Sequence, residues 1–66
     1  MSDIEKELQL QIDDVINNVK EGKMTSDEGK YVLSEIQKAY SAMDTAKKEI
    51  IARRVLNGVS ILSKLL

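Results

Sequence analysis

The sequence predicts an all-α fold, an antiparallel helical hairpin plus a C-terminal helix, forming a small three-helix bundle that occupies residues 1–66 as a single domain. Three observations lead there. Apolar residues recur at spacings of three and four along most of the chain, the pattern of amphipathic helices. Two Ser/Thr-x-x-Glu signals, Ser2 to Glu5 and Thr25 to Glu28, mark helix starts, and a glycine lies just before the second. Proline is absent, so nothing of that kind interrupts a helix.

The first helix is expected over 3–21, opened by the Ser2 hydroxyl and the returning Glu5 side chain. Ile4, Leu8, Ile12, Val15, Ile16 and Val19 fall on one stripe, while Glu7, Asp13, Asp14 and Asn17 leave the other face polar. Leu10 alone breaks that polar face. Gly22 can adopt the left-handed conformation that ends a helix, and Thr25-Ser26-Asp27-Glu28 starts the next, with Met24 placed as a staple before the cap. So short a connection brings the two helices back antiparallel.

The second helix, 26–42, carries Val32, Ile36, Ala39, Tyr40 and Met43 on its stripe, with Leu33 at the edge and Gly29 permitting close approach. Ser41, Asp44 and Thr45 offer caps for a break, but no Gly or Pro compels one. A continuous helix would put Lys47 and Arg54 near the centre of the apolar stripe; a break would put Lys47 and Lys48 at a helix start, where the dipole disfavours cations. The break is the favoured reading, giving a third helix over 45–65 phased on Ile51, Val55, Val59, Leu62, Leu65 and Leu66. The alternative is a two-helix hairpin whose single long second helix dimerises. Asn57-Gly58 either ends the last helix early or marks close helix packing.

With 42% hydrophobic and 32% charged residues, the chain has a folded composition. The absence of Cys and His removes disulfides, thiolate nucleophiles, imidazole bases and the common zinc sites, so no enzyme activity and no cofactor is expected. Residues 1–28 hold eight acids and three bases, and residues 29–66 hold three acids and seven bases, so the halves should attract each other. No apolar run approaches the roughly 20 residues of a membrane span, and the acidic start lacks the basic character of a secretory signal. An intracellular, cytoplasmic location is the expectation.

The segment Val19-Lys20-Glu21-Gly22-Lys23-Met24-Thr25-Ser26-Asp27-Glu28, followed by Val32-Leu33-Ser34-Glu35-Ile36, resembles the short helical hairpins of SHOCT-like bacterial modules. Those carry an EGKIT-type turn before a paired-leucine helix. The resemblance covers residues 19–36 and implies a hairpin with a non-catalytic association role; it carries over no site residue. The Gly29 position departs from the larger residue usual there.

Candidate functional residues fall into three groups. Asp13, Asp14, Glu21, Asp27 and Glu28 lack the alternating spacing of a calcium loop and read as a solvated face and helix caps. Lys47, Lys48, Arg53 and Arg54 form the basic cluster, a candidate contact for phosphate or an acidic partner. Leu10, Tyr31, Leu56, Ile61, Leu62, Leu65 and Leu66 are the candidate interface. The expectation is a small protein–protein interaction factor, an inhibitor, adaptor or assembly component, that self-associates or docks on a larger protein. Nucleic-acid binding through residues 47–54 and an amphipathic helix on a membrane surface are the alternatives. So short a chain, rich in Lys and poor in Arg, would also suit a phage or mobile-element accessory protein.

Overall fold

The computed structural model describes residues 3–65. Among these, α1 (Asp3–Lys20), α2 (Ser26–Met43) and α3 (Lys48–Lys64) are α-helices, and a 3-10 turn (Thr45–Lys47) precedes α3. Each helix packs on the other two. Eighteen residues make a helix about 27 Å long, which accounts for most of the molecule's 34 Å length against widths of 16 Å. α1 and α3 run parallel and α2 runs against both, the up-down-up order that short connections impose. Ser2 and Leu66 lie outside the described residues, and so do the cap and the interface role expected of them.

The first connection follows its local chemistry. Gly22 sits at φ +78°, its N–H donates to Val19 O at 3.1 Å, and the Lys23 N–H donates to Asn18 O at 2.9 Å. These two bonds are the Schellman closure of a helix end. The Glu28 N–H then donates to Thr25 Oγ1 at 3.1 Å while the Thr25 N–H donates to Glu28 Oε1 at 2.8 Å, a complete capping box. Met24 is half-buried beside the core, but the residue a staple would meet is Gly29, so no staple pair forms. A Cβ at Gly22 would touch nothing within 4 Å, so only the backbone conformation resists substitution. Gly22→Ala is therefore expected to cost about 1–2 kcal/mol, and Thr25→Ala about 1 kcal/mol. Urea denaturation checks both; two parental midpoints would show that the turn is not fixed by these residues.

The core consists of Leu8, Ile12, Val15, Ile16, Leu33, Tyr40, Ile51, Val55 and Leu62. α1 buries the stripe its periodicity marks. α2 buries its stripe only in part: Tyr40 is in the core and Val32 and Ile36 pack against it, but Leu33 is fully buried at 0% exposure, whereas Met43, placed on the stripe by spacing, is 67% exposed. The cause is that α2 has two neighbours, and its most buried line lies between the two contacts rather than at the centre of its apolar arc. On α3 the buried line is Ile51, Val55, Gly58 and Leu62, while Leu65 is exposed.

Gly58 continues α3 and marks close packing. A Cβ there would lie 2.9 Å from Ile12 Cγ2 and 3.1 Å from Leu33 Cδ1, and a Cβ at Gly29 would lie 2.9 Å from both Leu62 Cδ1 and Val19 Cγ2. Leu62 thus sits over Gly29, and Leu33 sits over Gly58. Ser26 adds a buried bond across the same pair of helices, its hydroxyl donating to Leu62 O at 3.0 Å. That carbonyl belongs to the last turn of α3 and also accepts from the Leu65 N–H at 3.1 Å, so the helix end is closed by both bonds.

The break between α2 and α3 falls at Asp44, at φ −144° and ψ 89°. Neither the 3-10 turn nor α3 has a side-chain cap, so Ser41, Asp44 and Thr45 do not act as the caps their types suggest.

Candidate functional site

Of the seven candidate interface residues, Leu62 is corrected. It is 0% exposed and belongs to the core, held there by the Gly29 notch and the Ser26 bond. Leu10, Tyr31, Leu56, Ile61 and Leu65 are exposed, but they do not form one patch. On α3, Leu56 lies about 140° around the helix from Ile61, which separates the two.

Leu10 and Tyr31 border the same groove. Three adjoining depressions run along the α1/α2 seam on the side away from α3, and Val32 lines all three. Leu10, Gln11, Asp14 and Asn18 form the α1 wall of the middle depression, with Met24, Val32 and Ile36 opposite. Tyr31, Ala39 and Met43 extend the apolar lining along α2. The acids around it are Asp14, Asp27, Glu28 and Glu35, against Lys23 as the one base. The Tyr40 hydroxyl closes the floor by accepting from Gln11 Nε2 at 3.0 Å, which satisfies a phenol that is otherwise buried. Leu10 and Tyr31 fall off the helical stripes, whereas Val32, Ile36 and Met43 fall on one; of these, Val32 and Ile36 pack against the core while lining the groove, and Met43 is exposed. The signal that would have separated the groove from the core line is Leu33 beside Gly29: two apolar lines on one helix need two partners.

The basic cluster is divided. Lys47 Nζ donates to Glu5 Oε2 at 3.1 Å, and Arg54 donates from one terminal nitrogen to Gln9 Oε1 at 2.9 Å and from the other to Glu5 Oε1 at 3.4 Å. The Glu5 side chain is 26% exposed, so this network is shielded more than an ordinary surface pair. It also places an acid from α1 beside the start of α3, where Lys47 and Lys48 oppose the helix dipole. Lys48 and Arg53 are exposed. Glu5→Gln is expected to lower stability by about 1 kcal/mol, and in 1 M salt the gap should narrow. Urea denaturation at low and high salt reads this, and an unchanged parental midpoint at low salt would rule it out.

Three of the five candidate carboxylates have partners within the fold. Glu28 completes the capping box, Glu21 pairs with Lys23 at 3.1 Å, and Asp13 accepts from Gln9 at 3.0 Å. Among the described residues no group of three or more metal-binding side chains gathers. No helix among them is long and apolar enough to cross a membrane. Comparison with protein-family models, curated proteins and solved structures gives no match, so the likeness to SHOCT-like hairpins rests on residues 19–36 alone.

Proposed function

We propose that the protein is a non-enzymatic protein–protein interaction factor that acts through the apolar groove between α1 and α2 and self-associates. The observation that carries this reading is the exposure of Leu10, Tyr31 and Met43 around Val32 and Ile36, which line the groove and are only partly buried against the core. Exposed aromatic and large aliphatic side chains around a groove suit a helix laid into it. The role of SHOCT-like modules in association agrees with this. The pairing of Lys47 and Arg54 with Glu5 and Gln9 argues against the phosphate-contact alternative, since it occupies half of the basic cluster.

The test compares two surface variants as baits in affinity purification from the source cell, with quantitative mass spectrometry. Tyr31→Lys with Met43→Lys alters the groove, and Leu56→Lys alters an exposed site elsewhere. Loss of the captured species with the first and retention with the second supports the groove. Equal capture by both overturns it, and loss only on neutralising Lys48 and Arg53 would move the function to the basic face.

A further inference from the structure

We propose that the self-associated form is a dimer in which two copies exchange α3: α2 and α3 straighten into one continuous helix, and each α3 fills the other copy's α1/α2 core. This rests on the self-association part of the reading above and names how it occurs.

The junction is the first observation. One residue, Asp44, separates α2 from the 3-10 turn, and it has no positive φ to preserve. Neither flanking element has a side-chain cap there, residues 41–47 include no Gly or Pro, and Ser41 Oγ is buried without a hydrogen-bond partner among the described residues. A short, uncapped connection of residues that can all join a helix is the usual hinge for exchange.

The second observation is phase. At 100° per residue along an unbroken helix, the buried residues of α2 (Ser26, Gly29, Leu33, Tyr40) and of α3 (Ile51, Val55, Gly58, Leu62) all fall within an arc of about 80°. The turn at Asp44 therefore does not correct a mismatch between two faces. Straightened, the helix shows one core stripe from end to end.

The third observation is register. The facing residues Gly29 with Leu62 and Leu33 with Gly58 have numbers that sum to 91 in both pairs, so the antiparallel register centres between residues 45 and 46, inside the junction. A two-fold axis there gives two straight helices the same α2-to-α3 register between copies that the closed chain has within itself. Asp44 and Lys47 are the charged residues that interrupt the stripe at its middle. In this register Asp44 of each copy lies opposite Lys47 of the partner subunit, adding an acid beside a lysine that in the closed chain already pairs with Glu5.

Sedimentation equilibrium of the full chain from micromolar to millimolar concentration, with far-UV circular dichroism as the check on folding, tests this. Thr45→Pro suits the closed form, because the Thr45 N–H is not a donor in the 3-10 turn and Asp44 is already extended, as a residue before proline should be. In a continuous helix the same proline breaks a bond and clashes. The expected result is a concentration-dependent dimer for the parent, a dimer dissociation constant at least about 100-fold higher for folded Thr45→Pro, and a lower one for Thr45→Ala. If Thr45→Pro does not fold, Gly-Ser-Gly inserted after Asp44 serves instead and should give a monomer. Dimerisation of the hinge variants at parental strength would overturn the exchange while leaving self-association standing. A parent and a Thr45→Ala chain that both stay monomeric would overturn both.

Discussion

Leu62→Asp is expected to abolish the folded state, whereas Leu65→Asp, three residues later, leaves helix content and thermal melting close to those of the parent. Leu62 is fully buried and Leu65 is 42% exposed. Replacing Leu62 removes about 1.5–3 kcal/mol of apolar burial, vacates the space over Gly29, and puts a carboxylate into a fully buried apolar position, where it loses its hydration. A chain of this size has a total stability near the low end of the usual range, about 5 kcal/mol, so the change exceeds what the fold can absorb. Far-UV circular dichroism decides it. A helical, cooperatively melting Leu62→Asp chain would show that α3 is not seated as described.

The second large effect is a coupling. Leu62→Ala should cost about 3–5 kcal/mol through the cavity it leaves. Gly29→Val should cost about 2 kcal/mol or more, since its Cβ would lie 2.9 Å from Val19 Cγ2, an atom on a stiff β-branched side chain that cannot swing aside as a leucine tip can. Together they should cost about 1–2 kcal/mol less than their separate effects combined, because valine at 29 enters the space that alanine at 62 empties. Because each change alone brings the chain close to unfolding, the cycle is best measured by urea denaturation in a stabilising osmolyte. Strict additivity would mean that the two side chains do not share a site.

How much of this was legible depended on whether the cause was local. Gly22 and the Thr25 to Glu28 cap act within a few residues, and the hairpin could be read from them with its boundaries nearly in place. The second junction has no comparable signal. Its polar partners, Glu5 and Gln9 for Lys47 and Arg54, lie more than forty residues away, so the sequence supplied reasons for and against a break that nearly balanced. Periodicity also overstated the role of Met43 and understated that of Leu33, since it finds an apolar arc but not its deepest line when two helices share the burial. Leu62 falls both on the third helix's stripe and among the candidate interface residues, and the fact that α3 packs on two helices, which decides for the core, is not a local property. Leu10, Tyr31 and Leu56 were recognisable because they fall outside every stripe, but which of them share a groove follows from helix packing alone.

The paired glycines act like the cuts of a key. Slide α3 one helical turn along α2 in one direction and Leu62 arrives opposite Leu33, two large side chains in a space made for one. Slide it one turn in the other direction and Gly58 arrives opposite Gly29, leaving a gap with nothing to fill it. Both errors are costly, so two glycines and two leucines encode an axial position that a uniformly apolar seam of the same length would leave undetermined.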